Sequence, residues 1–200
     1  MKKLFYIALT SLMVSCCYFP KENVELKGQK EAKVMNVEPF SRLDVQDAFE
    51  VIISDTVSDF RIESDIALTD YIRVIQTGKK LLICYQKNIC WTGESGSKVF
   101  IPSNKAHLNH IYISGASSVK ICEPLCAQSV NLQLSGASTL YATLHVNSVN
   151  AHLSGCSHAF LDGEAEAMRV QISGASAICS EHKNGQYALE VTKLYGNISG

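Results

Sequence analysis

Between residues 109 and 182 apolar and polar positions alternate one for one, and four small-residue tetrads interrupt the alternation at regular intervals. The tetrads are Ser114-Gly115-Ala116-Ser117, Ser135-Gly136-Ala137-Ser138, Ser154-Gly155-Cys156-Ser157 and Ser173-Gly174-Ala175-Ser176, with glycines 21, 19 and 19 residues apart. Two and four places before each glycine stand Ile113 and Ile111, Leu134 and Leu132, Leu153 and Ala151, and Ile172 and Val170. The intervening positions are polar or amphipathic, and after each tetrad the alternation resumes with Val119 and Ile121, Leu140 and Ala142, Ala159 and Leu161, and Ile178. A period of two over this length predicts half-buried strands, so each unit reads as strand, small-residue bend, strand.

A fixed period of about 20 residues with the same bend each time is what stacked supersecondary units produce. A hairpin meander could carry the same alternation. Identical registers in every unit favour like positions stacking on like, ~4.8 Å apart, which predicts an all-β, single-chain right-handed parallel β-helix with irregular N-terminal coils. The glycines would form a column where the backbone bends, and the serines would form hydroxyl ladders. No general base recurs beside any of these serines, so they do not read as nucleophiles.

The Ser-Gly-Ala-Ser units, preceded by Phe40-x-x-Leu43-x-Val45 and by Val99-Phe100-Ile101-Pro102, resemble the "putative auto-transporter adhesin, head GIN domain" family of Bacteroidota surface lipoproteins. The resemblance covers residues 35–200. It implies the β-helix, placement in the cell envelope and an adhesive or binding role, without naming a ligand. It brings no catalytic residues.

Upstream, Leu43 and Val45, then Phe49, Val51 and Ile53, then Phe60 and Ile62 continue the alternation. Ile72 and Val74, followed by Gly78-Lys79-Lys80 and 81–85, read as a hairpin or a corner, and 65–71 could hold one helical turn. The 92–97 stretch reads as a loop with Trp91 exposed beside it. No linker divides these strands from the tetrads, so one continuous solenoid is expected. The closing Ile198-Ser199-Gly200 reads like the start of a fifth tetrad; a solenoid ending there would expose an uncapped edge, so either the natural chain continues or another element or subunit covers it, self-association being one way.

At the other end, Lys2 and Lys3 precede an apolar run over 4–14, too short for a membrane span and suited to an export signal. Ser15 before Cys16 predicts a lipoprotein signal over 1–15 with acylation at Cys16, a conventional cleaved signal being the alternative. The mature protein would then hang from a membrane, most simply the outer membrane, through its lipid anchor. Residues 16–34, with Pro20, Gly28 and several Lys and Glu, read as a solvated tether.

Charge is nearly balanced, 18 basic against 19 acidic residues with no basic stripe, which argues against a nucleic-acid partner. Eight cysteines in an exported chain bring disulfides to mind, and Cys84 with Cys90 and Cys122 with Cys126 are the close pairs. Cys122 and Cys126 also have half-site spacing for zinc, but a second half-site is missing and no metal is expected. Cys156 replaces a tetrad alanine and reads as a small buried hydrophobe. No cofactor is implied.

Two outer surfaces follow from the register. The strand before the bend presents His110, Tyr112, Asn131, Gln133, Asn150, His152, Arg169 and Gln171, and the strand after it presents Lys120, Tyr141, Phe160 and Cys179. Amides and aromatic rings suit sugar rings and peptide backbones, so Tyr112, Gln133, His152, Gln171, Tyr141 and Phe160 are the candidate binding residues; plain stacking ladders are the alternative. For an enzyme, Asp162 and Glu181 share one repeat position, with His182 adjacent, which is thin for carbohydrate chemistry. His152, Cys156 and His158 fall on different faces and do not form a metal set. The expectation is a non-enzymatic, envelope-anchored binding protein with a glycan or an envelope or host protein as partner. A carbohydrate-active enzyme and a structural envelope component are the alternatives.

Overall fold

A computed structural model describes residues 22–93, 95–179 and 189–199. Its first bent unit is β3 (Phe40–Val45), a bend over 46–49 and β4 (Glu50–Ser54). The same shape recurs in β10 (Ala106–Ile113) with β11 (Ser118–Ile121), then in β12 (Leu125–Leu134), β13 (Thr139–Leu153), β14 (His158–Ser173), β15 (Ala177–Cys179) and β16 (Glu190–Ser199). Alternation decides which side chains turn inward. Along β13 the burial changes at nearly every residue, and Leu140, Leu144 and Leu153 are fully buried. The inward set forms one apolar core running from Val37 to Val170.

Strand pairing fixes the layers. On one side of the core β10 pairs with β12, β12 with β13, β13 with β14 and β14 with β16, all parallel. On the other side β4 pairs with β11, β11 with β13, and β14 with β15, again parallel. Strands β13 and β14 are long enough to belong to both sides, so the sheet curls around its own core.

The expected right-handed parallel β-helix, winding continuously from residue 35, is not the fold. The sheet is a curled, mixed-direction one. Strand β2 (Lys30–Val34) pairs antiparallel with β5 (Arg61–Asp65), β5 antiparallel with β9 (Lys98–Pro102), and β6 (Ile72–Thr77) antiparallel with β7 (Lys80–Tyr85). The layers also stack out of chain order. Strands β7 and β9 lie on one flank of β3 and β4, whereas the later β10 and β11 lie on the other. The physical reason is that a period of two is the same for parallel and antiparallel strands. A two-residue turn suffices to reverse direction, as at Gly78, whose φ is +57°.

The 65–71 stretch does hold one turn, α1 (Ile66–Thr69), capped by Asp65. Asp65 accepts the amides of Ala67 at 2.9 Å, Gly28 at 2.7 Å and Lys27 at 3.1 Å, which ties the preceding segment to the sheet. Consequently part of the stretch read as tether is strand: β1 (Glu22–Asn23), paired with β8 (Ile89–Cys90), and β2. Trp91 is half-buried rather than exposed, its ring 4.6 Å from that of Tyr85. Cys156 is exposed at the bend rather than buried, and Cys84, Cys90, Cys122, Cys126, Cys156 and Cys179 are free thiols in this structure. Among the described strands β16 pairs only with β14, and its Leu194 and Ile198, on the inward parity of Met168 and Ile172, are exposed. Gly200 lies outside the described residues.

Candidate functional site

The bends set the geometry of everything outside them. Gly115, Gly136, Gly155 and Gly174 have φ near +75°, and each lies against the backbone of the bend beneath it. The amide of Ala137 donates to the Gly115 carbonyl at 2.8 Å and that of Cys156 to the Gly136 carbonyl at 2.7 Å, so the glycines stand in one column. The base of the column is Asp47, with φ +72°, whose carbonyl accepts the Ala116 amide. The last serine of each of the first three tetrads turns inward and is satisfied there: Ser117 accepts the Phe49 amide at 3.2 Å, Ser138 donates to the Ile113 carbonyl at 3.4 Å, and Ser157 to the Ser154 carbonyl at 3.0 Å. They are buried structural hydroxyls.

With the bends aligned, the outer side chains of successive strands meet. On the first face one row runs Lys80, Arg42, His110, Asn131, Asn150, Arg169 and Tyr195, and the next runs Leu82, Asp44, Tyr112, Gln133, His152, Gln171 and Asn197. Hydrogen bonds link the rungs: Asn150 Nδ2 donates to Asn131 Oδ1 at 3.2 Å, Asn131 Nδ2 lies 3.3 Å from His110 Nε2, and His152 Nδ1 lies 3.0 Å from Gln171 Oε1. His110 Nδ1 is 2.8 Å from Asn109 Oδ1, so its ring is held at both nitrogens. Burial, and then the neighbouring Arg42 guanidinium, hold the His110 pKa below the usual imidazole value. At the foot of this face Asp44 is buried and paired with Lys80 at 2.7 Å, while also accepting from Gln46 at 3.0 Å. A shallow hollow there is lined by Arg42, Asp44, His110, Tyr112, Asn131 and Gln133.

The second face carries the row Phe100, Ile52, Lys120, Tyr141, Phe160 and Cys179. Tyr141 and Phe160 stack with centroids 4.8 Å apart and planes 6° from parallel, and His158 extends the stack to Phe160 at 6.4 Å. Arg61 sits over the Phe100 ring at 4.0 Å, a cation–π contact closing the row at its far end.

Each sequence-predicted binding residue therefore has its place: Tyr112, Gln133, His152 and Gln171 share one row of the first face, and Tyr141 and Phe160 are neighbours on the second. Asp162 lies beside Thr143 on the second side, whereas Glu181, His182 and the acylation candidate Cys16 lie outside the described residues. His152 and His158 occupy different faces with Cys156 at the bend between them, and no cluster of three metal-ligating side chains occurs among the described residues. Arg42, Asp44 and Lys80 escaped the sequence reading because their strands come together only through the out-of-order stacking. The alternation in Phe40-x-x-Leu43-x-Val45 was the one signal that could have placed Arg42 and Asp44 on an outer face.

Ordered rows of outward side chains around one apolar core define an all-β module. The family model described as "Putative auto-transporter adhesin, head GIN domain" matches residues 39–182, and the chain belongs to that family. Among solved structures the chain is similar to a "putative adhesin" from Parabacteroides merdae, at 15% identity and TM-score 0.64, covering 90% of this chain and 81% of that one. It is also similar to a "putative lipid binding protein" from Parabacteroides distasonis, at 13% identity and TM-score 0.61 with coverages of 88% and 81%. A third likeness is a "putative adhesin" from Bacteroides fragilis, at 16% identity and TM-score 0.54, covering 88% and 99%. At these identities the likeness is one of fold. No curated protein sequence matches the chain.

Proposed function

We propose that this protein is a non-enzymatic binding protein of the cell envelope, anchored through acylated Cys16 and displaying its two outer faces to glycan or to envelope or host protein. The observation that carries this reading is the in-register display of amides and aromatic rings along the sheet. Side chains already held by their neighbours lose little freedom when a ligand arrives, so a flat ordered face can bind without a deep cleft. Membership in an adhesin family supports a surface role. The export-signal pattern over 1–15 supports the anchor.

The full chain, screened on a glycan array and on immobilised host-matrix proteins, tests the reading. Binding that falls in Tyr112→Ala/Gln133→Ala or in Tyr141→Ala/Phe160→Ala identifies the face in use, and binding to neither panel contradicts the proposal. Product released from a polysaccharide panel, and abolished by Asp162→Asn, would establish an enzyme instead. Metabolic labelling with a fatty-acid analogue is expected to mark the protein and to fail in Cys16→Ser. Labelling that survives that change would refute the anchor position.

A further inference from the structure

Resting on the binding reading above, we propose that the first face, across β3, β10, β12, β13 and β14, binds a linear acidic glycan laid along the sheet axis, at right angles to the strands. The charges of the face point to an anion. Arg42 and Arg169 are exposed on it, and among the described residues no carboxylate lies within ion-pair distance of either. Asp44 is the carboxylate in these two rows, and Lys80 already neutralises it at 2.7 Å. The chain as a whole carries a net charge of −1, so the two guanidinium groups on this face do not reflect a generally cationic protein.

The spacing points to a polymer. The row Arg42, His110, Asn131, Asn150, Arg169 places the two guanidinium groups four strand intervals apart, roughly 19 Å at ~4.8 Å per interval. Between them Asn131, Asn150 and Gln133, with Gln171 beside Arg169, offer both donors and acceptors, the groups that sugar hydroxyls need. A guanidinium fork donates two parallel hydrogen bonds to a carboxylate or sulfate, so each end of the row suits one acidic sugar and the middle suits neutral hydroxyls. A protein partner would want a buried aromatic anchor at the centre of the patch, and the centre here is amide. His110 is occupied by Asn109 and Asn131 and serves as a spacer.

Carboxylate and sulfate are separated by the probe. The full chain is titrated by biolayer interferometry against polygalacturonate, chondroitin sulfate and neutral dextran at low and moderate salt. The expected result is binding to one or both acidic polymers and not to dextran. Raising salt from about 50 to about 300 mM should weaken that binding several-fold, because the ion pairs are solvent-exposed. Arg42→Gln/Arg169→Gln should lose about tenfold or more, since two charge-assisted contacts are removed, and Lys33→Gln, which removes a charge from β2 instead of from this face, should bind as the parent. Equal binding of dextran and the acidic polymers, or an unchanged arginine double variant, overturns the proposal. Binding found only to neutral glycans or to proteins defeats this inference while leaving the broader reading intact. No binding to any probe or array defeats both. The salt dependence of the parent chain needs no variant and so stands even if a substitution impairs folding.

Discussion

The carbonyl oxygen of Asp47 accepts the amide of Ala116 at 2.5 Å, and a Cβ added to Gly115 would stand 2.2 Å from that same oxygen. Gly136 and Gly155 repeat the relationship one rung at a time, at 2.6 and 2.7 Å from the carbonyls of Gly115 and Gly136. The neighbour in each case is backbone, which cannot swing aside. Gly136→Ala is therefore expected to destabilise by about 2–4 kcal/mol, combining left-handed strain with a clash inside the stack. Gly78→Ala, where φ is +57° and the space is open, carries only the conformational part, about 1–2 kcal/mol. Denaturant midpoints of the two variants separate the contributions, and equal losses would mean that the column does not exist in solution.

Asp47 occupies a glycine-like conformation yet has a use for its side chain, since its carboxylate accepts the Tyr85 amide at 2.8 Å. Asp47→Gly relieves the strain and loses the hydrogen bond, two terms of about 1 kcal/mol that nearly cancel. Asp47→Ala loses the bond without relieving the strain and should cost about 1–2 kcal/mol. The order Gly above Ala in thermal melts is the expected outcome, and the reverse order would show that the conformation is unstrained.

Tyr85 donates to Ser97 Oγ at 2.6 Å, and Ser64 Oγ lies 2.6 Å from the same atom, all three groups being buried. Ser97→Ala removes the hydroxyl that joins Tyr85 to Ser64, so a loss of about 1–3 kcal/mol is expected. Tyr85→Phe removes one partner and leaves the two serines bonded, and should cost less. A larger loss for Tyr85→Phe than for Ser97→Ala would contradict the network.

His110 makes a pH prediction. Burial first, and Arg42 second, lower its pKa in the folded state from an ordinary value of about 6.5. Above that value both states hold a neutral ring and pH has no effect. As pH falls below it the unfolded chain takes up the proton first, so stability declines until the folded ring is also protonated. His110→Asn should flatten this acid-side decline, and Arg42→Gln should move the titration of His110, followed by NMR, back toward 6.5. A His110 titration at or above 6.5 in the parent protein would refute the environment described.

Much of the surface pattern was legible in the sequence and the path of the chain was not. Inward and outward parity at Leu132, Leu134, Asn131 and Gln133 followed from alternation, because the core and the solvent each accept one kind of side chain. The column of glycines followed from the tetrads. Strand direction did not: Ile72 to Tyr85 alternates as the tetrad units do, so a hairpin and a corner both stayed open, and the structure forms the antiparallel hairpin. Asp47 was missed as the base of the column because Gln46-Asp47-Ala48-Phe49 shares only alanine with the tetrads at an equivalent position. Aspartate nonetheless tolerates the left-handed region better than most residues. The approach of Lys80 to Asp44 could not be read at all, since the two stand 36 positions apart and meet only because β7 flanks β3.

Tyr141 and Phe160, 19 positions apart in sequence, touch only if successive units lie in register. A double-mutant cycle on Tyr141→Ala and Phe160→Ala, measured by chemical denaturation, reads that contact directly. Rungs in alignment predict a coupling of about 0.5–1.5 kcal/mol between the two substitutions. Strictly additive losses would mean that the rings do not meet, and that the outer faces proposed to bind ligand are not formed.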